Sequence, residues 1–181
     1  MKKIKFLGLF ILTSLLATNT FAQTKMVGGA AMYPSKNIVE NAMNSKDHTT
    51  LVAAVKAAGL VSTLESKGPF TVFAPTNEAF NALPKGTVDN LLKPENKEKL
   101  ISILTYHVVP GKLSSQDLMK MVKENGGKAA LKTVEGENLF VWMKDNQLML
   151  SDEKGNMARI TIADVNQSNG VIHVINKVLM P

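Results

Sequence analysis

The 181-residue chain contains no cysteine. That absence excludes disulfides, a thiolate nucleophile, zinc ribbons, thiolate-held iron–sulfur clusters and a lipid anchor attached at a cleavage-site cysteine. Arginine occurs only at Arg159, and tryptophan only at Trp142. The lysines are scattered between acids instead of clustering beside aromatic platforms, so the composition describes a solvated surface and no nucleic-acid partner. No apolar run reaches a comfortable bilayer-spanning length. There is no G-x-S-x-G nucleophile elbow, no H-E-x-x-H pair and no internal repeat. What remains is a chain with a 45% hydrophobic share, enough to bury a core without cross-links.

Residues 1–22 read as a secretory leader. Lys2, Lys3 and Lys5 open it, a mostly apolar run from Phe6 to Ala17 follows, and "TFA" supplies small residues at Thr20 and Ala22. Cleavage near Ala22 implies export across a bacterial inner membrane to the periplasm or beyond, with no membrane insertion afterwards. Loss of the three lysines lowers the formal charge from +6 to +3. Residues 23–35, "QTKMVGGAAMYPS", are small, polar and non-periodic, and are expected to form a flexible arm.

Helical periodicity begins at "KNIVENAM" and continues in "DHTTLVAAVKAAGL", where Leu51, Val52 and Val55 form a stripe and Gly59 is a C-cap candidate. "LVSTLES" adds a short helix. "GPFTVFAP" changes to β-formers after a Gly-Pro break, and Pro75 ends the strand. Thr76 or Asn77 can cap the helix begun by "EAFNAL". More helix is expected in "TVDNLL", "ENKEKLISILTYH" and "SSQDLMKMVKEN", with Ser114 and Ser115 as helix-cap candidates. Strands then follow near Ala130–Val134, Asn138–Met143, Gln147–Ser151, Arg159–Val165 and Val171–Val174, with Asn169-Gly170 as a hairpin signal. The fold class is α+β, one domain over 36–181.

Three stretches carry a family resemblance. "TVFAPTNEAF" (Thr71–Phe80), "YHVVPG" (Tyr106–Gly111) and "NGVIHVINKVLMP" (Asn169–Pro181) resemble the motifs of the fasciclin domain, in order and at fitting spacings. Asn176 stands where the familiar form of the last motif has aspartate. The resemblance implies a β-sheet wedge or sandwich flanked by several short α-helices. It also implies an adhesion or binding module that meets a protein or polysaccharide on a cell surface or matrix, with no cofactor. In animal relatives the tyrosine–histidine region is associated with integrin binding; only the position carries over, to Tyr106 and His107.

The motif residues also have a physical reading. Thr71, Phe73, Pro75, Thr76, Asn77 and Phe80 serve a strand that must end as a helix begins. Gly170, His173 and Asn176 lie in an alternating strand, with Val171, His173 and Ile175 on one face and Ile172, Val174 and Asn176 on the other. His107 follows Leu100, Ile103 and Leu104 on a helical face, so a buried neutral imidazole is expected, one ring nitrogen donating and the other accepting. Two further possibilities compete: partner contact at Tyr106 and His107, and a hydrolase using His107. His48, His107 and His173 lack metal-ligand spacing, and "SDEKGN" lacks the spacing of a calcium loop. Trp142 is expected as core or half-buried packing, or as an exposed platform for sugars or a protein beside a small-ligand pocket. Met119, Met121, Met143 and Met149 could form an adaptable apolar surface, with helix or strand packing as the default.

Overall fold

A computed structural model describes residues 24–181; the leader read at residues 1–22 lies outside the described residues. Strand β3 (Phe70–Pro75) and strand β9 (Gly170–Ile175) run side by side in parallel at the centre of a seven-stranded sheet. Both are buried along almost their whole length, which is why neither shows a polar face in the sequence. Strand β4 (Val108–Pro110) pairs antiparallel on the far side of β3. On the other side β8 (Met157–Gln167), β7 (Gln147–Ser151), β6 (Asn138–Lys144) and β5 (Lys128–Lys132) follow as an antiparallel meander. The sheet curls until its ends approach: the amide of Val134, just past β5, donates to the Val108 carbonyl at 2.8 Å.

Helices α1 (Ile38–Ala42), α2 (Thr49–Ala58), α3 (Val61–Glu65), α4 (Asn77–Asn81), α5 (Thr87–Leu91) and α6 (Lys97–Tyr106) occupy most of the first half, and α7 (Ser115–Glu124) precedes β5. Local chemistry sets several of their ends. Asn37 with Glu40 and Ser114 with Asp117 form reciprocal capping boxes on α1 and α7. Gly59 closes α2 in the left-handed region at φ 74°. The two sequence candidates after Pro75 divide their roles. Thr76 caps α4 by accepting from the Ala79 amide, whereas Asn77 accepts from the Thr50 amide at the start of α2.

The pleat of β3 and β9 feeds two separate cores. Val72, Ala74, Ile172 and Val174 meet Leu51, Val55, Phe80, Leu100 and Leu104 on the helical side. Phe73 and Ile175 face the opposite way, into Leu118 and Val122 of α7 and Leu139, Val141 and Leu150 of the meander. Each of the larger side chains contributes about 1.5–3 kcal/mol on burial, so the central pair anchors both halves.

Four expectations are corrected. The stretch read as a flexible arm is an antiparallel hairpin, β1 (Lys25–Val27) with β2 (Ala30–Met32), whose Val27 and Met32 are buried in the helical core. Gly28 and Gly29 have φ of 59° and 76°, the left-handed pair that a tight two-residue hairpin turn requires. Three-residue strands are too short to show alternation, which is why the segment read as a tether. Strand β5 spans Lys128–Lys132, two residues earlier than expected, because Thr133 instead turns back to the Glu137 carbonyl. "VVP" after His107, where the helix was expected to end, forms β4, a strand the sequence reading did not name. The hairpin before β9 turns on Ser168-Asn169, since Gly170 already pairs with Gln167.

Candidate functional site

Tyr106 and His107 sit where α6 gives way to β4, and the two aromatic side chains meet edge to face with centroids 6.2 Å apart. Neither is a surface group: Tyr106 is 0% exposed and His107 3%. The Tyr106 hydroxyl donates to the Asn138 carbonyl at 2.8 Å, and burial, with Asp152 and Glu153 nearby, raises its pKa well above the ordinary phenol value. His107 Nε2 accepts from the Leu179 amide at 3.1 Å, so the neutral ring carries its proton on Nδ1, which donates to Ile103 O at 2.8 Å. Burial lowers its pKa to about 4. The ring therefore closes the last turn of α6 and ties it to the chain end. With these atoms inside, direct partner contact through either side chain would require the core to open.

His173 is likewise enclosed and stacks on Phe73 at 5.6 Å. Its Nδ1 accepts from the Asp164 amide at 3.2 Å, leaving Nε2 to donate to the Leu113 carbonyl at 2.9 Å. Burial lowers its pKa as well. Asp164 holds φ 56° and accepts from both the amide and the hydroxyl of Ser115. Serine, aspartate and histidine are thus close together but wired for support: the Ser115 hydroxyl donates to the carboxylate, and neither ring nitrogen of His173 is free to take its proton. Ser114 caps α7.

The other motif residues are structural in their contacts. Thr71 Oγ1 donates to Gly111 O at 2.7 Å and accepts from the Leu113 amide at 2.9 Å, joining the first motif to the second. Phe73 N donates to His107 O at 2.9 Å. Gly170 is required by close approach, since a Cβ there would lie 2.1 Å from the Phe70 carbonyl oxygen. Asn176 is exposed, and its Oδ1 accepts from the Arg159 amide at 2.8 Å, a bond that needs an oxygen but no charge. Asn169, noted in the sequence only as a turn residue, proves to be a buried hub. Its side chain accepts from the Ile38 amide at 3.0 Å and donates to Leu64 O and Ser66 O at 2.7 and 2.8 Å.

His48 differs from the other two histidines. Ser45 Oγ bonds its Nδ1 at 2.8 Å, but Nε2 has no well-formed hydrogen bond, although the Ala74 carbonyl is near enough to offset part of the burial that lowers its pKa. It borders an apolar cavity of about 90 Å³ between the helices and the sheet, shared with Val27, Met32, Val55 and Phe80. Trp142 lines neither that cavity nor the cleft beside Leu91 and Pro181. Among the described residues, no three histidine or acidic side chains gather as a metal-binding set.

Trp142 lies instead on the outer face of the meander. Leu139, Val141, Leu148, Leu150 and Ala158 point inward, leaving the alternate positions outside. Strand register sets Lys128, Trp142, Met149 and Arg159 side by side across four strands. The next row is Ala130, Phe140, Ser151 and Met157. The Lys128 ammonium sits 4.3 Å from the Phe140 ring centroid. The four methionines named from sequence do not share one surface: Met121 and Met143 pack against the second core, whereas Met149 is on the outer face. The sequence reading singled out Trp142 but missed its row. The period-two alternation in "KAALK" and "NLFVWMK" was the available signal, but cross-strand neighbours need the turn registers.

A family model described as Fasciclin domain matches residues 46–181. Protein sll1483 of Synechocystis sp. is 49% identical over 162 residues, 90% of this chain and 83% of that protein. Transforming growth factor-beta-induced protein ig-h3 of Sus scrofa is 37% identical over 148 residues, 82% of this chain but 20% of that protein. A FAS1 domain pair from the insect cell adhesion molecule Fasciclin I has a TM-score of 0.72 at 18% identity, covering 81% of this chain and 51% of that one. That last likeness concerns the fold.

Proposed function

Because the chain belongs to the fasciclin domain family, we propose that it is an exported binding module, holding cell-surface, matrix or envelope components without making or breaking a covalent bond. One observation carries the reading. The side chains that invited a chemical role, Tyr106, His107 and His173, use their polar atoms on backbone groups inside the core. A general base needs a nitrogen within reach of substrate, and His107 and His173 each have both nitrogens engaged. Binding then falls to the surface of a scaffold held rigid by the two cores. Export rests on the leader pattern of residues 1–22.

The test is capture. The leader-free chain, immobilised, is offered solubilised envelope and matrix fractions; saturable retention of envelope material supports the proposal. Absence of retention, together with turnover of an ester or glycoside panel that disappears in His107→Ala, would replace it with a hydrolase. A second reading, small-ligand binding, draws on the unbonded His48 Nε2 beside the 90 Å³ cavity. Native mass spectrometry of the purified chain would reveal a retained molecule.

A further inference from the structure

We infer that the outer face of β5–β8 binds an acidic polysaccharide, with a sugar ring lying on Trp142 and carboxylates reaching Lys128 and Arg159. The inference rests on the binding-module reading and names the partner class and the surface. Adjacent strands are about 4.8 Å apart, so the row from Lys128 to Arg159 spans about 14 Å, with a cation at each end and an indole and a thioether between. Outward strand positions carry four cations, Lys128, Lys132, Lys144 and Arg159, and no carboxylate. The acids of this region sit in its turns, at Glu135, Glu137, Asp145, Asp152 and Glu153, except Asp164 of β8, whose carboxylate is taken up by the Ser115 amide and hydroxyl.

These cations are not consumed internally. Among the described residues the one ion pair is Lys120–Glu124, on α7. The Arg159 guanidinium meets only the Gln147 amide oxygen, at 3.4 Å, and Lys128 rests over a ring. A uronate carboxylate would give Arg159 the two-pronged acceptor its planar fork favours. The aromatics select among polyanions. Trp142 and Phe140 are half-buried, and the Lys128 ammonium already lies over the Phe140 ring, which leaves Trp142 as the platform. The C–H face of a pyranose packs on such a surface, and its partly positive hydrogens meet the negative face of the ring. Nucleic-acid bases prefer platforms on which they can unstack and pile. An acidic peptide would look for a free sheet edge or side-chain pockets; Trp142, Met149 and Arg159 lie on the face of strands β6 to β8, away from the β5 edge.

Trp142 is the only tryptophan, so indole emission reports directly on the proposed site. The leader-free chain is titrated with polygalacturonate, neutral dextran, polyglutamate and a single-stranded oligonucleotide. A saturable emission change with polygalacturonate, weakened by added salt and absent with dextran, is expected. The paired substitution Lys128→Gln with Arg159→Gln, both exposed, should lower affinity about tenfold, from two exposed charge contacts. No saturable response, an equal response to dextran, tighter binding of polyglutamate or oligonucleotide, or unchanged affinity in the paired variant would each overturn the assignment. If polygalacturonate does not bind but envelope capture persists, this surface is wrong and the module reading stands. If neither wild type nor variant captures envelope material, the module reading itself fails.

Discussion

Replacing His107 by alanine separates two consequences of burying that ring. At about pH 7.5 the variant leaves the Leu179 amide and the Ile103 carbonyl without their partners. Each unsatisfied buried group costs about 1–3 kcal/mol, so a loss of about 2–6 kcal/mol is expected. Acid changes the balance. The folded pKa of about 4 lies below the ordinary 6.5, so the neutral ring's stabilisation is complete above about pH 6.5 and is lost as pH falls toward 4. At about pH 5 the unfolded chain is largely protonated at this site and the folded one is not, which removes about 2 kcal/mol from the wild type. The variant has no such group, while His48, His173 and the carboxylates affect both proteins alike. Urea unfolding at the two pH values should therefore show the deficit of His107→Ala shrinking by about 2 kcal/mol in acid. A deficit that stays constant, or an NMR titration placing the His107 pKa near 6.5, would refute the burial argument.

Three further outcomes follow from contacts of the last motif, each read by denaturant melts. Asn169→Ala removes one acceptor and two donors from the junction of α1, α3 and the β8–β9 turn, and should cost about 2–4 kcal/mol. A loss under half a kcal/mol would show the hub to be dispensable. Gly170→Ala drives a methyl into the Phe70 carbonyl and should destabilise by about 3 kcal/mol; wild-type stability would mean β3 and β9 can separate freely. Asn176→Asp keeps an acceptor oxygen for the Arg159 amide on an exposed residue, so its effect should stay within about 0.5 kcal/mol. A larger change would give that position an ionic role.

The helices were legible because their ends are chemically marked: Gly59 in the left-handed region, and Ser114 three residues before Asp117. The buried strand around Phe73 was legible from its apolar run between Gly68-Pro69 and Pro75. Where the local signal was short, reading failed. Strands β1, β2 and β4 have three residues each, too few for alternation to stand out. The environment of His107 followed from its helical face, but that of Tyr106 did not. Leu104 faces the helical core while Tyr106 passes over to the other one, so α6 is covered on two sides, and a single-stripe reading of a helix cannot anticipate that. The outer row of the meander was also hidden. Lys128 and Arg159 are 31 positions apart and become neighbours of Trp142 and Met149 only through three successive hairpin registers.

The claim on which the functional reading turns is that the tyrosine–histidine pair supports the scaffold and takes no part in its recognition. It is tested most directly by measuring capture of envelope material by wild-type chain and His107→Ala at a temperature where circular dichroism shows both fully folded. Equal retention per folded molecule is the predicted result. A folded His107→Ala that no longer retains material would contradict the account and place the imidazole in the binding event itself.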